Sequence, residues 1–323
     1  MSLLHIKNLN ITYKTKEKEI KAVNDLSLNI EPRDSIGIVG ESGSGKSTLA
    51  MAILQLLPSK TSKIIGEIIF DGVDLLKISP EELRQIRWKE IAFVFQKSMN
   101  SLSPVHTIGC QLSDIYKVHR PNAKKREIRE RIFELFSLVN LSDNIYNFYP
   151  HELSGGMMQR VSIALSLINY PRVLILDEAT TALDVVTQKQ ILNEIIKLEK
   201  QLNLTRVMIT HDVSIVASTC EKVAVMYAGY ILESGYVSDV LHFPRHPYTK
   251  GLLNSYPSLM GEKDELRGIP GYLPDLSVSH KGCIFASRCK NSIDKCFTDI
   301  PKMISFPNDW NVACHLVGGA HGG

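Results

Sequence analysis

Two stretches near the start of the chain alternate apolar and polar positions: residues 3–13, Leu-Leu-His-Ile-Lys-Asn-Leu-Asn-Ile-Thr-Tyr, and residues 22–30, Ala-Val-Asn-Asp-Leu-Ser-Leu-Asn-Ile. A two-residue period puts every second side chain on one face, so both predict half-buried strands of an antiparallel sheet. The pattern then changes. Ser35-Ile-Gly-Ile-Val-Gly predicts a short apolar strand running into a Gly/Ser loop, and Thr48 to Leu57 predicts a helix stopped by Pro58. Two more apolar runs, Val173-Leu-Ile-Leu and Arg206-Val-Met-Ile-Thr, are bounded by helical segments around 155–168 and 186–202. That order is the one expected of a mostly parallel α/β sheet.

Between Gln96 and Leu167 the strand pattern disappears, and Lys124 to Leu138 reads as a charged amphipathic helix. A helical insertion over 97–165 follows. After Gly235 the composition shifts to Pro, His, Gly and Cys, so a loop-rich C-terminal appendage is expected from 238 to 323, beyond a main domain of 1–237.

Composition narrows the class. The 323 residues are 44% hydrophobic and 22% charged, which excludes disordered and fibrous chains. The formal charge of +3 is too balanced to point to nucleic acid or a lipid surface as the main partner. The most apolar stretch, Val161 to Leu176, is interrupted by polar residues and falls short of a membrane span. Met1-Ser-Leu-Leu-His-Ile-Lys lacks the apolar run and cleavage site of a secretory signal, so a cytosolic chain with reduced thiols is expected.

Gly40-Glu41-Ser42-Gly43-Ser44-Gly45-Lys46-Ser47 matches G-x-x-x-x-G-K-S between a predicted strand and a predicted helix opening at Thr48. Glycines let backbone N–H groups curl around phosphates. Lys46 is placed to reach the β- and γ-phosphates, and Ser47 to ligate Mg²⁺. The run Val173-Leu-Ile-Leu ends in Asp177-Glu178, acids at the carboxyl edge of a sheet. Asp177 suits Mg²⁺, and Glu178 suits orienting or deprotonating the attacking water.

These elements, taken in order with Gln96 after a strand, Leu153-Ser154-Gly155-Gly156-Met157, Leu183-Asp184 and a lone His211 after a strand, resemble the nucleotide-binding subunit of ABC transporters over about residues 3–235. The resemblance implies an α/β P-loop fold with a mixed sheet core, a helical subdomain and an N-terminal antiparallel sheet, hydrolysing ATP with Mg²⁺. It implies that Gln96 couples the Mg²⁺ and water site to the transmembrane partner, that His211 contacts the γ-phosphate, and that Tyr13 stacks on adenine. Ser154 is read as the N-cap of an apolar-patterned helix. In the family that signature closes on the γ-phosphate held by an opposing subunit. The family's usual fifth residue is Gln where this chain has Met157.

His242-Phe-Pro-Arg-His-Pro-Tyr-Thr-Lys-Gly-Leu-Leu253 is not needed for ATP chemistry; it resembles the segment following the core in ATPase subunits of dipeptide and oligopeptide importers, a group that includes nickel importers. Gln96-Lys-Ser-Met-Asn-Ser-Leu-Ser-Pro104 is similar to that group's glutamine loop. On residue chemistry alone His-Pro-Tyr reads equally as a turn packing on the core.

Four of six cysteines fall in the tail: Cys283, Cys289, Cys296 and Cys314, separated by 5, 6 and 17 residues. Four thiolates suit structural Zn²⁺ or a 4Fe-4S cluster, and neither spacing is a standard one. The resemblance favours 4Fe-4S, with Zn²⁺ as the alternative, because some dipeptide-importer ATPases carry such a tail. Cys110 and Cys220 are read as buried apolar residues.

The resemblance implies as partners separate transmembrane permeases, a second ATPase subunit (a similar subunit in preference to a second copy), and indirectly an extracellular substrate-binding protein. The place is the cytoplasmic face of the membrane, held peripherally. The rivals are a nickel importer and a non-transport ATPase of the same superfamily; no heptads of an inserted coiled coil run between Lys46 and Leu153.

Overall fold

The alternation at the start of the chain becomes two long strands, β1 (Leu4–Lys14) and β2 (Glu19–Ile30), paired antiparallel with Ile6 opposite Leu28 and Leu4 opposite Ile30. Those four side chains are buried, as the period requires. The structure is a computed structural model that describes residues 2–95, 102–181, 183–255 and 268–317. It divides into one unit of residues 1–77 and 208–323 and another of residues 78–207.

In the first unit β3 (Ser35–Val39), all buried, leads through the glycine loop into α1 (Lys46–Ile53). Then come β4 (Ser62–Phe70) and the two-residue β5 (Val73–Asp74), which complete a sheet of order β2-β1-β4-β5. The sequence reading does not anticipate β4, because Ile64-Ile65 and Ile68-Ile69 double the apolar residues where a strand would alternate them. Gly66 explains the irregularity. At φ +121° it lies where a Cβ would stand 2.7 Å from the carbonyl oxygens of Lys7 and Asn8, and the β1–β4 register slips between Lys7 and Asn10.

The second unit opens with α2 (Pro80–Ile86), where the Ser79 hydroxyl accepts from the Glu82 N–H and the Glu82 carboxylate accepts from the Ser79 N–H. β6 (Ile91–Val94) pairs in parallel with β7 (Val173–Asp177), Ile91 opposite Val173. Every residue of both is buried, which is why they read as unbroken apolar runs. Between them lie α3 (Ile108–His119), α4 (Lys125–Leu138) and α5 (Gly155–Ser166). α6 (Val185–Leu202) and β8 (Thr205–Thr210) follow, and β8 carries the chain back into the first unit. The α4 residue Arg131 is buried and donates to the carbonyls of Leu167 (2.7 Å) and Ile168 (3.3 Å), satisfying groups just past the end of α5. Cys110 departs from expectation. It is exposed on α3, because Ile108, Leu112 and Tyr116 form that helix's buried face and position 110 points away from them; Cys220 is buried.

Back in the first unit, α7 (Val213–Thr219) precedes the hairpin of β9 (Lys222–Tyr227) and β10 (Tyr230–Tyr236), turned by Ala228 (φ 48°) and Gly229 (φ 87°). β9 pairs in parallel with β3. α8 (Val237–Val240), α9 (Pro247–Leu253) and α10 (Lys295–Thr298) are short. The tail is not loop throughout. β11 (Ile304–Phe306) and β12 (Trp310–Val312) form a hairpin, and β12 joins β10 with Glu233 opposite Val312, for an order β11-β12-β10-β9-β3. Three-residue strands are too short to show a period. Glu233 fastens this junction: fully buried, it accepts from the N–H groups of Arg245 (2.9 Å) and His246 (3.0 Å) and from the Trp310 indole (2.9 Å).

Candidate functional site

The loop from Gly40 to Gly45 is shaped by backbone crowding. A Cβ on Gly40 would stand 1.9 Å from the Met226 carbonyl oxygen, and one on Gly45 (φ +100°) 2.3 Å from that of Ala22. Only glycine fits either place. Ser44 is fully buried and its carbonyl accepts from the Gly229 N–H at 2.9 Å. Gly45 is the N-cap of α1 and makes no side-chain cap bond, and a helix N-terminus of this kind suits an anion.

Lys46 is buried, and its ammonium folds back to donate to the carbonyls of Gly40 (2.8 Å) and Glu41 (2.9 Å). The charge sits inside the loop it must serve. Ser47 and Thr48 fill the first turn of α1, and the hydroxyl of the half-buried Tyr13 donates to Thr48 Oγ1 at 3.3 Å. His211 directly follows β8, between Thr210 and Asp212. The Asp212 N–H donates to Thr210 Oγ1 (3.0 Å), and the Asp212 carboxylate caps α7 by accepting from the Ser214 N–H (2.8 Å). α7 packs on β3, since a Cβ on Gly37 would strike Val216 at 2.4 Å. The phosphate loop and His211 are thus carried by neighbouring elements of one unit.

In the second unit Asp177 is buried at the end of β7, and Glu178 beside it takes a left-handed backbone, φ +47°. Thr181 holds that turn, its N–H (3.3 Å) and hydroxyl (3.0 Å) both bonding the Glu178 carbonyl. A non-glycine residue kept in this region marks a place where geometry is imposed. Ser154 is the N-cap of α5, its hydroxyl accepting from the Met157 N–H at 3.3 Å, with Gly155 and Gly156 in the first turn. Gly156 lies where a Cβ would be 2.9 Å from Thr187 Cγ2 on α6. Asp184 caps α6 by accepting from the Thr187 N–H at 2.9 Å, and its bonds to Thr187 hold the carboxyl below the usual range. Arg160 of α5 makes a two-point pair with Glu194 of α6, at 2.8 and 3.0 Å. The 154–156 turn and the Asp184 turn therefore form one body. Gln96 lies outside the described residues.

The four tail cysteines are brought together. The Cys283 N–H donates to the Cys296 carbonyl at 2.7 Å, and Cys283 feels the charge of each of the other three thiols. Burial, reinforced by those neighbours, pushes Cys283 up to about 11 and raises Cys289 and Cys314. No group of three or more Cys, His, Asp or Glu among the described residues is placed to hold a metal ion. In chemistry four thiols are donors that both structural zinc and a 4Fe-4S cluster take.

The His-Pro-Tyr segment opens α9: His246 is the N-cap, its Nδ1 accepting from the Tyr248 N–H at 3.0 Å, and Pro247 takes the first helical position. Tyr248 is fully buried and reaches Glu41 of the phosphate loop, as does Arg288. The sequence reading links neither residue to that loop, because over 200 positions separate them from it.

Comparison with known proteins gives two family matches. The family described as ABC transporter matches residues 23–181, and the one described as oligopeptide/dipeptide transporter, C-terminal region, matches residues 232–296. The chain is 40% identical over 318 residues to the oligopeptide transport ATP-binding protein AppD of Bacillus subtilis (strain 168), covering 98% of this chain and 97% of that protein. It is 37% identical over 317 residues to the dipeptide transport ATP-binding protein DppD of Escherichia coli (strain K12), with the same coverage of 98% and 97%. Among solved structures it is similar to a dimeric ATP-binding cassette in a post-hydrolysis state bound to ADP and Pi, with a TM-score of 0.65, 32% identity, and coverage of 72% of this chain and 98% of that one. Among the described residues no helix is long and apolar enough to cross a membrane.

Proposed function

Because the chain belongs to the ATP-binding proteins of oligopeptide and dipeptide ABC transporters, we propose the following division of labour for an ATPase that powers peptide import through membrane permeases. Residues 1–237 form the nucleotide-binding domain, with a helical subdomain at about 97–165, and residues 238–323 the extension. In the first unit the backbone of Gly40, Glu41, Ser42, Gly43, Ser44 and Gly45 and the ammonium of Lys46 take the phosphates. Thr48 closes the cradle, Tyr13 stacks on the base, and His211 donates to the γ-phosphate. In the second unit Glu178 orients and deprotonates the attacking water. Ser47, Gln96 and Asp177 are the oxygen donors suited to Mg²⁺, which when bound neutralises charge on the phosphates.

Ser154, Gly155, Gly156 and Asp184 face the nucleotide of a second ATPase subunit, a similar chain in preference to a copy of this one. The assembly lies at the cytoplasmic face of the membrane, where an extracellular binding protein delivers peptide to the permeases. Cys283, Cys289, Cys296 and Cys314 hold a 4Fe-4S cluster, which when bound staples the tail or responds to redox state.

The observation that carries the reading is the buried Lys46 ammonium enclosed by its own loop, in a chain whose C-terminal region matches that of peptide transporters. The test is uptake by vesicles containing the permeases and both ATPase subunits. ATP-dependent entry of dipeptides or oligopeptides, abolished by Glu178→Gln, supports the assignment. Entry of nickel with no peptide uptake overturns the substrate.

A further inference from the structure

Glu41 places a carboxylate in a loop whose task is to hold a polyanion, and left alone that charge would oppose phosphate binding. The C-terminal region answers it. Nη1 of Arg288, a side chain 6% exposed, donates to both Glu41 carboxylate oxygens, at 2.9 and 3.1 Å. The same guanidinium donates to the Tyr227 hydroxyl (3.2 Å) and, through Nη2 and Nε, to the carbonyls of Ile269 (3.1 Å) and Pro270 (2.8 Å). These partners fix its plane, so the carboxylate is held against a rigid cation.

A second tether comes from Tyr248. Its ring packs against Tyr227 (centroids 4.7 Å apart) and Phe285 (5.3 Å), and its hydroxyl accepts from the Glu41 N–H at 3.1 Å. The Glu41 carbonyl in turn accepts from Lys46. Every polar group of Glu41 is therefore occupied, two of them by the C-terminal region. The segment that Arg288 anchors also lies on the loop, since a Cβ on Gly43 would stand 3.3 Å from Leu273 Cδ1.

We propose that Arg288 is a positioning residue of the nucleotide site: it neutralises Glu41 and, with Tyr248, holds the phosphate loop in its binding shape, so that the C-terminal region sets nucleotide affinity. In this role Arg288 works through Glu41 and not on the phosphates directly. It acts by withdrawing the Glu41 charge from the cradle and limiting how far the loop can open.

The test is calorimetric titration of the full chain with MgADP, alongside ATPase kinetics of the assembled transporter. Arg288→Ala is expected to weaken MgADP binding about tenfold, and to raise KM with little change in kcat. Adding Glu41→Gln to that variant removes the uncompensated charge and is expected to recover most of the loss. Arg288→Lys keeps the charge without the fork and is expected to stay within about threefold of the parent. A merely structural residue would show no recovery with Glu41→Gln. Affinity of Arg288→Ala within about twofold of the parent, a double variant no better than Arg288→Ala, or Arg288→Lys as weak as Arg288→Ala would each overturn the proposal. If Arg288→Ala does not give a cooperative thermal transition, Arg288→Gln takes its place, and a double variant Arg288→Gln/Glu41→Gln that binds MgADP no more tightly than Arg288→Gln overturns the proposal.

Discussion

The Lys46 ammonium donates to the Gly40 carbonyl at 2.8 Å, so the first residue of the glycine loop and the first residue of α1 are joined by a charge-assisted bond. Nucleotide must offer phosphate oxygens good enough to replace that partner. Lys46→Ala removes both the internal bond and the phosphate contact, and MgADP binding is expected to fall by about ten- to a hundredfold, with phosphate release at background. Fluorescent nucleotide titration and a phosphate assay check it.

Glu178 takes φ +47°, and Thr181 bonds its carbonyl through both N–H and hydroxyl, so the backbone turn fixes where its side chain leaves the main chain. Glu178→Gln keeps the shape and removes the base. Turnover is expected to drop by at least about a hundredfold while MgATP still binds, and size-exclusion chromatography with MgATP should show a persistent dimer with the sister subunit. Undiminished hydrolysis would remove Glu178 from the role of base.

Arg160 and Glu194 tie α5 to α6 at sites only 16% and 11% exposed. Arg160→Ala takes two donated hydrogen bonds from a largely buried carboxylate, and a loss of about 3 kcal/mol is expected. Replacing both residues by Met and Leu is expected to cost less than the single change. Urea unfolding of the three variants measures the difference.

His246 is buried, and desolvation lowers its pKa to about 3, so the folded protein keeps it neutral as the Tyr248 acceptor. In the unfolded chain it titrates near its ordinary value of 6.5. Between these values the unfolded state binds the extra proton, so stability falls as pH drops, by about 1.4 kcal/mol per unit. His246→Asn keeps an N-cap and removes the titration. Its unfolding midpoint is expected to vary less with pH over that window.

The tail thiols give a colour test. Anaerobic reconstitution with iron and sulfide is expected to yield a brown protein with about four irons per chain. Colourless protein after reconstitution rejects the cluster. Substituting Cys289 with Ser should lower the iron content without moving MgADP affinity more than about twofold.

Much of the site was legible locally. Lys46 and Ser47 stand at fixed offsets from their glycines, and Asp177 ends an apolar run, because a phosphate loop and a buried parallel strand are built from neighbours in sequence. β4 and β12 were not legible. Paired isoleucines and a bulge at Gly66 blur the one, and three residues are too few to show the other's period.

By itself, the amino-acid order determined the strand, loop and helix that cradle phosphate, the capped α5 that begins at the Ser154 turn, and the family that uses them. Those depend on backbone preferences and side-chain spacing within a few residues. Only the tertiary structure decided that Arg288 and Tyr248 close on Glu41, that Gly156 lies against Thr187, and that four scattered thiols share one neighbourhood. Such pairings join positions far apart in the chain. They are selected by the burial of apolar surface and the satisfaction of buried charge in the whole fold, for which no local pattern carries a code.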